Sequence, residues 1–112
     1  MTTQVSKDLI AEAVAELIPQ RIWALTTGGA SPTIVAGNGL TVSRPASSRY
    51  RFTFDTEQPD TNYGVLVSDV AGGDRFTSLF LSNKTTTYFE TITVNNSAAG
   101  TDPTGLTVEV LR

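Results

Sequence analysis

From Arg49 to Val67 polar and apolar residues alternate as they do in an extended chain. Tyr50, Phe52 and Phe54 fall on one side, and Arg49, Arg51, Thr53 and Asp55 on the other. That period of two marks a half-buried strand. A polar run, Thr56 to Asn62, interrupts it around Pro59-Asp60, and a second strand then places Tyr63, Val65 and Val67 inward. Tyr50, Phe52, Phe54, Tyr63, Val65 and Val67 are therefore the predicted core scaffold of two packed layers of sheet.

The same pattern repeats on both sides of this stretch. Arg21 to Thr27 reads as a first strand with apolar residues on both faces, as in a strand covered on both sides. Thr27 to Pro32 is a turn, Thr33 to Ala36 a short strand, and Gly37-Asn38-Gly39 a tight turn. Leu40 to Arg44 is a strand and Pro45 to Ser48 a polar turn. Ser68 to Asp74 is a loop, Phe76 to Leu81 a strand, Ser82 to Lys84 a turn and Thr85 to Val94 a strand. Asn95 to Gly105 is the longest polar segment, and Leu106, Val108 and Val110 close the sheet. Strands this short, joined by Gly, Asn, Asp and Pro turns, leave no room for parallel crossovers. The expected fold is mainly β, an antiparallel, jelly-roll-like β-sandwich of about eight strands, preceded by one short N-terminal amphipathic α-helix.

That helix is predicted from a different period. Leu9, Ile10, Ala13, Val14, Leu17 and Ile18 recur at three- and four-residue spacing, with Lys7, Asp8, Glu12 and Glu16 on the other face. Ser6 can cap it, Asp8 favours its N-terminal end, and Pro19 stops it. About twelve residues is near the lower limit for a helix standing alone in water. Its stripe needs a partner, either one end of its own sandwich or identical helices from two or three subunits. The chain divides into an anchor or oligomerisation arm, 1–19, and a sandwich domain, 20–112. The stripe and Trp23, the single Trp, are the candidate oligomerisation residues.

Composition narrows the chemistry. The 112 residues suit one domain, and a net charge of −3 with scattered basic residues argues against nucleic-acid binding. No apolar run approaches the length of a membrane span, and residues 1–18 lack the pattern of a secretory signal. His and Cys are both absent, which removes imidazole acid–base catalysis, thiol nucleophiles and the usual zinc ligands. Carboxylates remain: Asp55, Glu57 and Asp60 in one loop, Asp69 and Asp74 in another. They read as solvated turn residues, and the Asp69/Asp74 spacing matches no calcium cage. Neither an enzymatic activity nor a cofactor is expected. Arg49 and Arg51 read as cross-strand salt-bridge partners of acidic residues on a neighbouring strand. Recognition, where it occurs, is expected in the end loops Asp69 to Arg75 and Asn95 to Thr104. The candidates there are Asp69, Asp74, Arg75, Asn95, Asn96 and Asp102, whose polar side chains suit sugar or protein contacts.

Gly39-Leu-Thr-Val-Ser-Arg44, Tyr50-Arg-Phe-Thr-Phe54 and Gln58-Pro-Asp-Thr-Asn-Tyr63 followed by Gly64-Val-Leu-Val67 together resemble a module of tailed-phage fibre proteins. The resemblance covers about residues 22–67, with Trp23, Tyr50, Phe54, Pro59, Asp60, Tyr63 and Val65 at the matching positions. It implies a homotrimeric, non-enzymatic virion component, often at a fibre tip that meets a host-surface glycan or protein. The matched residues are scaffold, so no binding residue is carried over. Eighteen residues before the sandwich are too few for a fibre shaft. The expectation is a small separate virion protein (a tail-fibre component, knob or head decoration) that contacts capsid, tail or fibre proteins, with a receptor-binding tip as the alternative.

Overall fold

The computed structural model describes residues 21–70 and 73–112. The expected helix, and with it Leu9, Ile10, Ala13, Val14, Leu17 and Ile18, lies outside them. Among the described residues there are eight strands: β1 Trp23–Thr26, β2 Ile34–Asn38, β3 Leu40–Ala46, β4 Arg49–Phe54, β5 Gly64–Asp69, β6 Arg75–Lys84, β7 Tyr88–Asn95 and β8 Leu106–Leu111. They form two four-stranded sheets, ordered β2-β1-β8-β5 and β3-β4-β7-β6. Every strand pairing is antiparallel. The described chain is thus an all-β, sandwich-like fold.

The wiring differs from a jelly roll. β1–β2, β3–β4 and β6–β7 are hairpins within one sheet. β8 returns beside β5 after the β6–β7 excursion, a single Greek-key path. A jelly roll has two. Here the first half is two hairpins joined through Gly39, which turns the chain from one sheet to the other. Its φ of +85° is a conformation that favours glycine, and its carbonyl accepts Asp55 N–H at 2.9 Å.

Between the sheets, Tyr50, Phe52, Phe89, Leu106 and Val108 are fully buried, with Phe54 and Tyr63 nearly so. Val65 and Val67 pack half-buried against this core. The Phe52 and Phe89 rings stack at 5.2 Å, and Tyr63 meets Phe54 edge-on at 5.2 Å. Such pairs add about 0.5–1.5 kcal/mol beyond the area they bury. Phe89 comes from β7, whose two faces differ little in polarity. Its neighbours Thr91 and Thr93 are also buried, so the pattern there is polar even on the core side.

Several boundaries differ from expectation: β2 runs on to Asn38 and β3 to Ala46, through residues expected to turn, and β5 includes Ser68 and Asp69, expected in a loop. Ser82 to Lys84 continues β6 instead of turning, and the turn falls at Thr85–Thr87. The Thr85 hydroxyl accepts Thr87 N–H at 3.2 Å and Tyr88 N–H at 3.1 Å, so a Thr-based turn replaces the expected Asn-Lys one. Replacing Phe89 with Ala is expected to cost about 3–5 kcal/mol. Phe76→Ala, at a side chain that is 59% exposed, is expected to change stability by less than about 0.5 kcal/mol. Urea midpoints at constant slope measure both.

Candidate functional site

Three surfaces gather the residues singled out by sequence. The first is the outer face of the sheet containing β1. Ala24 and Thr26 point into the core, so Trp23 and Leu25 point outward. Registers across the sheet align Asn38, Trp23, Glu109 and Leu66 in one row, and Ala36, Leu25, Thr107 and Ser68 in the next. Leu111 lies opposite Gly64 in the row beyond. Leu66 and Leu111 are 59% and 44% exposed, and Trp23 and Leu25 are half-buried. A shallow groove of about 260 Å³ runs here between Leu66, Ser68, Thr107 and Glu109. The chain joins this face at Arg21, whose guanidinium pairs with Glu109 and whose carbonyl accepts Asn38 Nδ2 at 2.7 Å. An antiparallel sheet commonly leaves one face wet, and here Trp23, Leu25, Leu66 and Leu111 on that face alternate with Asn38, Glu109, Thr107 and Ser68.

The second surface is the outer face of the other sheet. Glu90 lies there, yet it is fully buried. Arg51 Nε and Nη2 both donate to its Oε2, at 2.9 and 2.7 Å, and Asn83 Nδ2 donates to Oε1 at 2.9 Å. Arg49 Nη1 is 3.7 Å from Oε1. The guanidinium of Arg49 lies over the Phe80 ring at 5.2 Å, and that of Arg51 over Tyr88 at 4.1 Å. Both arginines thus take the cross-strand role expected of them. The burial of Glu90 was not legible, because it depends on Asn83 and Phe80 arriving from β6. The cluster holds β4, β6 and β7 together on the side away from the core. Its charges face one another.

The third surface is the loop end. Arg44 Nε and Nη2 donate to the two Asp102 carboxylate oxygens, each at 2.9 Å, a bidentate pair. Ser48 N–H adds a bond to Asp102 Oδ1 at 3.1 Å, and Arg75 Nε donates to the Asp102 carbonyl at 3.1 Å. The Arg44 guanidinium, with help from Ser48 N–H, holds the Asp102 carboxyl below the usual carboxylate range. Asp69 accepts from Thr104 N–H at 3.0 Å and from the Thr104 hydroxyl. Tyr50 donates its hydroxyl to the Gly29 carbonyl at 2.6 Å, and burial pushes its phenol up to about 12. Gly29 N–H in turn donates to Pro103 O at 3.1 Å. Gly28 sits so close to Pro103 that an added Cβ would lie 2.2 Å from its carbonyl oxygen, which is why no larger residue fits. Asn95 Oδ1 accepts Ser97 and Ala99 N–H at 2.9 and 3.1 Å.

The structure therefore brings Asp69, Arg75, Asn95 and Asp102 to one end, where they fasten the loops to the sandwich. Asp74 stays half-exposed beside Arg75 at 3.5 Å, and Asn96 and Ser97 are exposed at the tip. The roles of Asp69 and Asp102 depend on Thr104 and Arg44, distant in sequence, which no local spacing signals. The remaining carboxylates do not converge. Glu57 accepts the Thr86 hydroxyl at 3.0 Å. Asp60 accepts Asn62 N–H at 2.8 Å and Arg112 Nη2 at 2.9 Å, which keep its carboxyl below the usual range. Asp55 lines a separate cleft of about 320 Å³ with Ile22, Asn38, Thr56 and Gln58. Among the described residues no helix is long and apolar enough to cross a membrane.

No protein-family model, curated protein or solved structure matches this chain. The geometry above carries the functional reading. It also carries a pH dependence. Because the folded state depresses the Asp102 pKa, this group adds stability above its unfolded value of about 3.9, and that stability is lost as pH falls through the lower folded value. Asp102→Asn is therefore expected to lower stability at neutral pH. It should also flatten the acid limb of the urea midpoint below about pH 4 relative to the unaltered chain.

Proposed function

We propose that this chain is a non-enzymatic structural component of a tailed-phage virion. In this reading it is a small homotrimeric tail-fibre, knob or head-decoration protein, assembled through an amphipathic helix at its N-terminus. One observation carries the assembly part: the outer face of the first sheet presents Trp23, Leu25, Leu66 and Leu111 where residues 1–20 join it. The sequence of the joining segment carries an apolar stripe, and burying it together with the apolar side chains of this face would favour association. The polar clusters favour the same reading, since Glu90 and Asp102 hold strands and loops in place and do not converge on a common point. The phage context rests on the sequence resemblance over residues 22–67.

A second reading, a receptor- or glycan-binding tip, is favoured by the loop end. Asp102 and Asp69 pin a loop that leaves Asn96 and Ser97 exposed, so recognition there would start from an ordered platform. Light scattering of the full chain against a chain starting at Gln20 tests the assembly reading. A trimer that becomes a monomer on truncation is the expected result. A full-length monomer, or a trimer that persists without residues 1–19, would overturn it. The second reading takes precedence where replacing Asn96 and Ser97 abolishes adsorption to host cells with the oligomer intact.

A further inference from the structure

We infer that the open edge of β5 is a contact between two copies of this chain, in which the two strands pair antiparallel about Leu66 and join their first sheets into one. The contact uses none of residues 1–20 and does not rest on the assembly reading. The sheet orders leave β2, β5, β3 and β6 as edge strands. An edge presents unpaired N–H and C=O groups to any extended chain, and proteins blunt such edges with bulges, prolines and charges. β2, β3 and β6 are blunted in this way. In β2, Ala36 lies opposite Leu25 and Ile34 opposite Thr26, so Val35 bulges. β3 carries Arg44 and Pro45 where its pairing with β4 shifts. β6 has Arg75 and Lys84 at its ends, and Leu81 to Asn83 drop out of its ladder. β5 has none of these features. It pairs with β8 residue for residue from Gly64 to Asp69, and its only charge lies at its end.

The same register fixes where the main-chain groups of β5 point. Val70 N–H donates to the Gly105 carbonyl at 2.9 Å, in the pair that follows Asp69 and Leu106. Hydrogen-bonded and non-hydrogen-bonded pairs alternate along an antiparallel ladder, so Gly64, Leu66 and Ser68 are the residues that bond to β8. Val65 and Val67 turn their N–H and C=O groups away from β8, and no hydrogen bond among the described residues reaches those groups.

What fits this edge is the edge itself. Val65-Leu66-Val67 reads the same in both directions, and Gly64 and Ser68 on either side of it are small. A two-fold axis at Leu66 sets Val65 of each copy opposite Val67 of the other, and these pairs exchange the main-chain bonds that β8 leaves open. Leu66 meets Leu66 of the partner subunit in the intervening non-hydrogen-bonded pair, where Cα atoms lie about 4.5 Å apart and side chains come closest. Leu66 is exposed in the single chain, so this pair covers apolar surface that otherwise meets water. The register also keeps like charges apart, because Asp69 falls opposite Tyr63 and not opposite Asp69. The pairing is short beside a standard interface, so it forms at high subunit concentration. Copies already grouped in an assembly strengthen it without new bonds, through effective concentration.

Cross-linking of the full chain tests this, because the sequence has no Cys. Leu66→Cys puts two thiols across the axis at a Cα separation that a disulfide spans. Under mild oxidation it is expected to give a covalent dimer at least about tenfold faster than Leu81→Cys, whose side chain is more exposed but sits on the bulged edge. Both substitutions change exposed side chains, so both variants fold. Amide hydrogen exchange supplies a second readout on the unaltered chain. The Val65 and Val67 amides are expected to exchange more slowly as concentration rises. Leu66→Lys, which opposes two like charges across the axis, is expected to abolish that dependence. Equal cross-linking at the two positions overturns the pairing. So do Val65 and Val67 amides that exchange as fast as an open edge at every concentration. Neither result bears on the assembly reading, since residues 1–20 take no part in the contact.

Discussion

The pairing of β4 with β7 sets most of what else the molecule can be. Its register places Phe52 opposite Phe89 and, one residue on, Arg51 opposite Glu90. Successive side chains point to opposite faces, so one register satisfies two demands at once. The stacked rings at 5.2 Å fill the space between the sheets, and the Arg51–Glu90 bonds close the outside of the same two strands. A slip of either strand by one residue would turn Glu90 into the core and Phe89 into water. An unpaired carboxylate among Phe54, Tyr63 and Leu106 is far costlier than a misplaced aliphatic residue. The ionic cluster thus specifies register as much as it adds stability, an established use of buried polar pairs.

That pairing also makes the two outer faces unlike. On the second sheet, guanidinium groups lie over Phe80 and Tyr88 and cover the carboxylate, so the centre of the face is occupied by groups already satisfied. Phe76 is 59% exposed there, near the start of β6. On the first sheet Arg21 pairs with Glu109, and the rows there mix Trp23, Leu25, Leu66 and Ala36 with the polar Asn38, Thr107 and Ser68. The asymmetry follows from sequence: β4 alternates Arg with aromatics, whereas β1 is apolar on both sides.

Much of the fold was legible because its strands obey a period of two wherever a wet face opposes a dry one. β4 is the clearest case, with Tyr50, Phe52 and Phe54 inward and its two arginines outward. The pattern failed where that contrast is weak. In β7, Thr91 and Thr93 line the core while Ile92 and Val94 lie half-exposed outside, so polarity alone points the wrong way. The β6–β7 turn was misplaced because Thr85 acts through its hydroxyl, a weaker local signal than Ser-Asn-Lys. The strand order was not legible at all, since Gly39 marks a bend equally well within a sheet or between two. At the loop end, residue types suggested solvent-facing recognition groups. Asp102 and Asp69 instead take partners far along the chain, a property of the folded molecule that no local window contains.

The registers also give the module a direction. β1 enters at Trp23, in the row of Glu109 and Leu66 and next to the row of Leu111, whereas Thr26, at its other end, bonds Leu106 at the start of β8. The loops fastened by Asp69 and Asp102 therefore lie at the end of the sandwich opposite the point where residues 1–20 join. A protein joined to its assembly at one end has its other end free for contact, and hydrogen bonds within the loops fix the shape presented there. The assembly and recognition readings then need not compete for the same surface. What separates them is whether Asn96 and Ser97 meet a ligand or only water. Because their loop is tied down through Asn95, Arg75 and Asp102, binding there would require little further ordering, one of the costs such a contact carries.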